Sequence, residues 1–168
     1  MGWVPLGAHP RRGADTLAPM FSPGAVLIAQ AVATFAMVGL VWFVQVVHYP
    51  LFALVPKTGR RQYETAHANR TTWIVAPVML VEAASALLLL ADPPRGTSRP
   101  LALAGLVLLA LVWLSTWLIQ VPAHRALSRD PTDRAVRRLV IGNWPRTLLW
   151  TARAGVVVAM LVLSSEHR

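Results

Sequence analysis

The sequence predicts an all-α integral membrane four-helix bundle built from two pseudo-repeated two-helix halves. Of its 168 residues, 55% are hydrophobic and only 14% are charged, against roughly 25% charged in soluble domains. Four apolar runs each have about the 20 residues needed to cross a bilayer core about 30 Å thick. Because lipid offers no hydrogen bonds to backbone groups, helices are the expected way across. Polar residues that end the first run also recur at the end of the third.

The apolar runs define the helices and their connections. The helices are expected at about 25–48, 70–91, 100–121 and 146–164, in one transmembrane domain of residues 24–165. Residues 1–23 are rich in proline and are expected to form a flexible tail. The stretch DPPRGTSRP at 92–100 is rich in helix breakers, so the second and third helices are expected to form a hairpin. In the two longer connections, short amphipathic helices are expected at the membrane surface, starting near Thr58 and near Asp130-Pro131.

Lysine and arginine are distributed unequally between the two ends of the predicted bundle. Ten lie at the end with the long connections and five at the opposite end. The positive-inside rule then predicts a multi-pass protein of the cell membrane with both termini outside the cytoplasm. The net charge of +9 is explained by this topology and by attraction to anionic lipid, so the bilayer is the expected partner and nucleic acid is not. The absence of cysteine excludes disulfides, thiolate ligands and cysteine nucleophiles.

Two short stretches, VQVVHYP at 44–50 and IQVPAHR at 119–125, nearly repeat each other. Four polar pairs recur at offsets of 74 to 76 residues: Gln45 with Gln120, His48 with His124, Asn69 with Asn143, and Arg70 with Arg146. The pattern indicates an internal repeat of a two-helix unit. Its halves would be related by an axis along the membrane normal.

The polar helix ends are expected to converge, because the first and third helices end where the second and fourth begin. The candidate catalytic residues are His48, His67, Asn69, Arg70, His124, Asn143 and Arg146, and the candidate substrate-binding residues are Gln45, Tyr49, Tyr63, Gln120 and Trp144. The two glutamines are expected about one helical turn deeper in the membrane than the headgroup belt, with their side chains facing the interior of the bundle. For the arginines and tryptophans, taken singly, a simple place in the headgroup belt is the favoured alternative.

Two charged residues lie deeper in the apolar runs. By helix rise, Glu82 lies about 20 Å beyond Asn69 and Arg153 about 15 Å beyond Asn143. An isolated charge at mid-bilayer costs at least about 2.5 to 3.5 kcal/mol, so such charges normally pair. A buried contact between Glu82 and Arg153 is therefore expected, as a structural clamp or as part of a functional site.

The motif Glu64-x-x-His67 and the other histidines raise the question of a metal, because Glu and His at i and i+3 share a helix face in di-iron bundles. With only one such motif, no metal ligand is assigned. The cofactor stays undetermined between a metal, a haem held by His48 and His124, and none. A cofactor-free site would use histidine as a base, amides as donors to an oxyanion, and arginine to hold an acidic or phenolic substrate.

Three motifs carry a resemblance to a known family. They are YPLF at 49–52, Asn69-Arg70 at the start of the second helix, and GNWPRT at 142–147. With the four helices, this pattern resembles the anthrone-oxygenase-like family of small integral membrane proteins. The resemblance extends over most of the chain from Ala25 and implies a four-helix membrane protein. The best described activity of that family is the oxygenation of polyketide anthrones to anthraquinones without a known cofactor.

The function predicted from these residues is a membrane-embedded oxidoreductase or oxygenase of a lipophilic small molecule. The alternative is a non-catalytic membrane subunit that binds a partner helix, quinone, haem or metal, and a transporter is the third candidate. A homo-oligomer and a subunit of a larger membrane complex both stay open.

Overall fold

The computed structural model describes residues 22–167, and these form four long helices and no strand. Helix α1 spans Pro23–Leu54, α2 spans Lys57–Ala91, α3 spans Arg99–Arg129 and α4 spans Asp133–Glu166. All four are long and apolar enough to cross a membrane. Helices α1 and α3 each pack against both α2 and α4. The predicted all-α membrane four-helix bundle is confirmed, while the internal repeat stays a prediction.

Polar caps set the start of three of these helices. Ser22, Ser98 and Thr132 each accept a hydrogen bond from the backbone N–H three residues later, at 3.2 to 3.4 Å. A proline lies in the first turn of α1 and of α3, where its missing N–H has no helical partner to lose. Only Ser22 and Pro23 of the predicted tail lie within the described residues, and Pro23 is already the first residue of α1.

Helices α2 and α4 begin earlier than predicted. Helix α2 starts at Lys57 rather than near 70, and α4 starts at Asp133 rather than near 146. The expectation of separate surface helices is therefore wrong, because these polar residues extend the membrane-spanning helices. The physical reason is that the helix breakers Pro56 and Pro131 lie before the two starts, and no proline follows until the helices are well established.

Helices α1 and α3 each contain one π-helical turn, over Val44–His48 and Thr116–Gln120. A proline follows each turn by two residues, Pro50 in α1 and Pro122 in α3. Proline donates no backbone hydrogen bond and clashes with the carbonyl four residues earlier, which here lies inside the π turn. The wider turn, with its i to i+5 hydrogen bonding, accommodates that ring without ending the helix.

The connections between α1 and α2 and between α3 and α4 lie at the same end of the bundle, which we call the basic end. The almost fully buried Arg60 side chain links these two connections. Its guanidinium donates to the carbonyls of Ala53 and Val55 before α2, and to the Pro131 carbonyl and the Asp133 carboxylate at the start of α4, at 2.8 to 3.2 Å. One side chain thereby holds both connections in place.

The opposite end is closed by the turn between α2 and α3. Gly96 has a φ of +78°, a conformation that favours glycine. A side chain at this position would also collide with the Leu163 carbonyl and the His167 ring of α4. The hairpin turn therefore packs directly onto the end of α4.

Three clusters of buried apolar residues fill the bundle between the two ends. They include Leu27, Leu89 and Met160 near the hairpin turn, Met37, Met79 and Trp150 in the middle, and Phe52, Leu127 and Leu139 at the basic end. The polar residues discussed next lie between and beside these clusters.

Candidate functional site

Histidines from three helices meet at the basic end. His48 of α1 and His67 of α2 share a hydrogen bond of 2.8 Å between Nε2 and Nδ1. The ring of His124 of α3 lies stacked beside that of His67, with centroids 5.7 Å apart. A hydrogen bond between two imidazoles needs one donor and one acceptor nitrogen, so a proton can pass along it.

A buried carboxylate and a buried phenol flank His124. The Nδ1 atom of His124 donates to Glu64 Oε1 at 2.5 Å, and its Nε2 lies 2.9 Å from the Tyr49 hydroxyl. Glu64 and Tyr49 are both buried. Because the carboxylate fixes the proton of the neutral imidazole on Nδ1, Nε2 is the acceptor and the Tyr49 hydroxyl is the donor. The three residues form one hydrogen-bonded chain inside the bundle.

The π turns bring two of the site residues to the interior. Val44 and Tyr49 are five residues apart and both are buried, and the same is true of Ser115 and Gln120. In a regular α-helix, a residue five positions ahead is rotated by about 140° from the first. The wider π turn brings it back to the same side.

The early start of α2 positions Glu64. Arg60, Glu64, His67 and Thr71 follow helical spacing along one stripe of α2, and all four are buried or half-buried. Glu64 was considered with His67 as a possible metal motif but is not among the predicted catalytic residues. The signal that could have found it is the unbroken helical spacing that leads to His67.

The two glutamines of the proposed repeat are both buried but differ in their bonding. Gln45 donates to the Val140 carbonyl at 3.1 Å and accepts from Asn143 Nδ2 at 2.9 Å. Asn143 also donates to Thr147 Oγ1 at 3.2 Å. Gln120 is only 1% exposed, yet neither its Oε1 nor its Nε2 has a hydrogen-bond partner among the described residues.

Other buried polar atoms at the basic end share this lack of partners among residues 22–167. They are Glu64 Oε2, Asn143 Oδ1 and Arg146 Nε. A buried polar group left unbonded costs about 1–3 kcal/mol. Water or a ligand group is the usual partner of such buried polar atoms.

A cleft of about 200 Å³ lies beside the hydrogen-bonded pair of histidines, between α1 and α2. Its lining consists of His48, Tyr63, Ala66, His67, Arg70 and Thr71. Tyr63 is 40% exposed and Arg70 is also exposed, so the cleft opens to the outside of the bundle. Thr71 Oγ1 lies 3.2 Å from His67 Nδ1, which places a hydroxyl at the edge of the histidine pair.

The remaining predicted site residues lie partly outside this cluster. Arg146 is half-buried, with its guanidinium carbon 5.8 Å from the Trp150 ring centroid. Asn69 is exposed, because two residues along an α-helix turn a side chain by about 200° away from His67. Trp144 is exposed and packs edge-on against Trp42. Neither Asn69 nor Trp144 is part of the cleft lining described above, and their predicted roles stay predictions.

The contact expected between Glu82 and Arg153 is present in the middle of the bundle. Arg153 Nε donates to Glu82 Oε1 at 3.1 Å, and Thr34 Oγ1 donates to the same oxygen at 2.7 Å. Trp150 Nε1 donates to Glu82 Oε2 at 2.9 Å. Arg153 Nη1 donates to the Gly105 carbonyl. Both carboxylate oxygens are thus bonded, as in a clamp between helices.

The donor set at the basic end bears on the metal and haem alternatives. Among residues 22–167, no group of three or more His, Cys, Asp and Glu side chains could hold a metal ion. Both ring nitrogens of His124 are already bonded, to Glu64 and to Tyr49. A haem iron between His48 and His124 would have to displace one of those bonds.

The fold and the site together define a small four-helix membrane protein with a titratable cluster beside a lateral cleft. No protein family, curated protein or solved structure with which the chain was compared gives a match. The resemblance to anthrone-oxygenase-like proteins therefore stays an expectation from the motifs described above.

Proposed function

We propose that this protein is a membrane-embedded enzyme that acts on a lipophilic small molecule by general acid–base catalysis. The observation that carries the proposal is the 2.8 Å bond between His48 and His67 beside a cleft that opens to the outside of the bundle. An imidazole nitrogen can accept a proton, and a base must lie within hydrogen-bond reach of the proton that it removes. A molecule in the cleft would contact both rings.

The proposed step is the removal of a proton from the bound molecule. One ring of the pair accepts the proton at its free nitrogen, and the proton on its other nitrogen moves across the bond to the second ring. The electron pair of the broken bond stays on the molecule, whose negative charge is then stabilised by the Arg70 guanidinium. His48 and His67 are the catalytic residues of this proposal, and Arg70 is the binding residue.

The chain of Glu64, His124 and Tyr49 supports this chemistry from behind the cleft. The Glu64 carboxylate fixes the tautomer of His124 and would stabilise its protonated form, as a carboxylate does for the histidine of a catalytic triad. His124 lies beside His67 but is not hydrogen-bonded to it. We assign it the role of a positioning residue.

Oxygenation is a special case of this proposal, suggested by the family resemblance. If the deprotonated carbon reacts with O₂, the product is a peroxide anion, which takes a proton back from the imidazolium to give a hydroperoxide. Loss of water then converts a CH–OOH centre to a ketone. Molecular oxygen is the oxidant, and no further reductant is needed.

A second candidate is a non-catalytic membrane subunit that holds a small ligand such as a quinone. The observation that favours it is the set of buried polar atoms without partners among the described residues, at Glu64, Gln120, Asn143 and Arg146. A bound ligand could supply the missing hydrogen-bond partners of these atoms without being converted to a product.

The experiment compares three histidine-to-glutamine variants in liposomes. His48→Gln and His67→Gln alter the proposed catalytic pair, and His167→Gln alters an exposed histidine at the opposite end as the matched control. Each liposome sample receives the lipid extract of the expression host or anthrone. Mass spectrometry then identifies consumed compounds, and an oxygen electrode measures uptake.

We expect wild type and His167→Gln to consume the same compound, and the two cleft variants to do so about 10²- to 10⁴-fold more slowly, the usual loss for an acid–base group. Consumption at wild-type rates by the cleft variants would contradict the proposal. A lack of turnover of the lipid extract by wild type would favour the non-catalytic subunit, whereas inactivity towards anthrone alone would remove only the oxygenation of anthrones.

We also propose that the basic end faces the cytoplasm of a cell-membrane protein, because within residues 22–167 ten lysine and arginine residues lie there against two, Arg95 and Arg99, at the other end. Reporter proteins fused at Thr132 and at Pro94 should then report opposite compartments, with Thr132 cytoplasmic. The reverse assignment would contradict the proposed orientation.

A further inference from the structure

We infer that the ligand of the cleft is a membrane-anchored weak acid with a single aromatic ring, such as a phenol or quinol that carries an apolar chain. The ring occupies the cleft between α1 and α2, and the chain stays in the lipid. This inference deepens the proposed function and rests on it for the role of His48 and His67 as proton acceptors.

The position of the cleft allows a ligand to arrive sideways from the bilayer. On α1, the exposed apolar side chains of Phe43 and Val47 lie just before His48, and Phe43 is 55% exposed. On α2, Ile74 lies three residues after Thr71, on the same side of the helix, and is 62% exposed. Such surfaces on a membrane bundle face lipid tails. The mouth of the cleft therefore lies within about one helical turn of the lipid-facing surface on both helices.

The volume of the cleft limits the part of the ligand that enters. A cavity of about 150 Å³ binds benzene, whereas pockets for drug-sized ligands measure about 300–1,000 Å³. The cleft measures about 200 Å³. It therefore accommodates one substituted ring, and three fused rings are too large for it. Its open side provides the path by which an attached chain leaves.

The lining groups select for a weakly acidic hydroxyl. Arg70 forms no ion pair with a carboxylate within residues 22–167, so its guanidinium is free to pair with one negative charge. The imidazoles of His48 and His67 supply the proton acceptor, and the Tyr63 ring lies 6.2 Å from that of His48, centroid to centroid. A phosphate headgroup usually engages several charged donors, and the cleft offers a single permanent cation. These lining groups therefore suit a phenol better than a phospholipid headgroup.

The experiment measures protection of the cleft histidines from diethyl pyrocarbonate, which modifies neutral imidazole. Wild-type protein in nanodiscs of neutral phosphatidylcholine is treated with para-dodecylphenol, and peptide mass spectrometry follows His48, His67 and His167. At a phenol concentration about ten times its Kd, modification of the two cleft histidines should slow roughly tenfold, because only the free protein reacts. His167 is the internal reference and should react at an unchanged rate.

Two matched compounds test which part of the ligand is recognised. The ether para-dodecylanisole has the same ring and chain but no acidic proton, and it should need at least about a tenfold higher concentration for equal protection. Anthrone, with three fused rings, should protect poorly at the same concentration in the membrane. Equal protection by the ether would overturn the claim of a weak acid, and equal protection by anthrone would overturn the claim of a single ring.

Protein variants and lipid composition test the position of the site. Ala66→Leu narrows the cleft and should reduce protection, and Arg70→Gln should weaken it about tenfold through loss of a charge-assisted bond. If wild-type protein shows no protection by the phenol, the inference is wrong. If nanodiscs with phosphatidylglycerol show the same protection without the phenol, the ligand is a lipid headgroup and the inference is also wrong.

The protection experiment tests the ligand class separately from the proposed catalytic role. Protection without turnover of any compound would leave the ligand class standing and remove the catalytic role. Turnover that depends on His48 and His67, without protection by the phenol, would leave the enzyme standing and remove this ligand class.

Discussion

Two polar centres lie inside this bundle, and they differ in how completely their groups are bonded. Around Glu82, both carboxylate oxygens accept hydrogen bonds, and the adjacent cavity of about 10 Å³ is no larger than one water. The one atom there without a partner among the described residues is Arg153 Nη2. At the basic end, Glu64 and Gln120 both keep unbonded polar atoms, and the cleft beside His67 is open to the exterior.

The difference teaches that burial and charge alone do not identify a functional site. Glu82 and Arg153 are the deepest charges in the sequence, and their contact was expected as a structural clamp or as part of a functional site. All their side-chain polar atoms except Arg153 Nη2 bond to groups on other helices. The residues at the basic end lie nearer the surface, and their groups leave room for another molecule. We therefore expect the first centre to govern stability and the second to govern binding.

The largest effect on stability is expected for Glu82→Ala. It would leave Arg153 buried without its counter-charge, which costs about 3–5 kcal/mol. Replacing both Glu82 and Arg153 by alanine should recover part of that loss. Unfolding in detergent, followed by circular dichroism, measures the difference. The exposed Glu166→Ala is the control, with an expected change within about 0.5 kcal/mol. A Glu82→Ala protein as stable as wild type would contradict the role of the pair as a clamp.

A smaller effect is expected for Trp150→Phe. The substitution removes the N–H that donates to Glu82 Oε2 and leaves a small cavity where the larger ring was, so the cost combines one unbonded carboxylate oxygen, about 1–3 kcal/mol, with the lost packing of a buried side chain. Trp73→Phe on the lipid-facing surface is the matched control and should change the free energy of unfolding by less than about 0.5 kcal/mol. Equal losses in the two variants would show that Glu82 does not depend on this donor.

The smallest effect on stability is expected for His67→Gln. Glutamine can still bond to His48 and Thr71, so the free energy of unfolding should fall by no more than about 1 kcal/mol. The same variant should lose the protection of His48 by para-dodecylphenol. A loss of stability as large as that of Glu82→Ala, with phenol protection retained, would reverse the assignment of the two centres.

The sequence was sufficient for the four membrane helices, because run length and composition reflect the thickness of the bilayer. It was also sufficient to bring Glu82 and Arg153 together, since two opposite charges at similar depth have few other partners. The prediction of the helix bounds was wrong where a polar segment was assumed to lie outside the helix. The segment from Lys57 to Arg70 is polar but contains no proline, and it forms the first part of α2.

The residues of the site were also predicted only in part. His48, His67 and His124 do meet, because helix ends that share one face of the membrane must converge. Asn69 was placed with them by proximity in sequence, whereas its angle around α2 turns it outward. The π turns were also missed. They depend on how a helix adapts to Pro50 and Pro122, and hydropathy carries no information on that backbone adjustment.

Those π turns also separate two halves of each helix that can vary independently. A residue inserted into a regular helix rotates everything beyond it by about 100°, which would turn one half of α1 or α3 away from its neighbours. A π turn absorbs one such insertion locally, between the lipid-embedded half and the half that carries Tyr49 or Gln120. Removing Val47 or Ile119 would restore a regular ladder in which Tyr49 lies four residues after Val44, and Gln120 four residues after Ser115, so each pair would still share one face. Straightening the turn without removing a residue would instead place Tyr49 or Gln120 about 140° around the helix from its buried partner. In each helix, the wider turn and its extra residue therefore have to be kept or lost together.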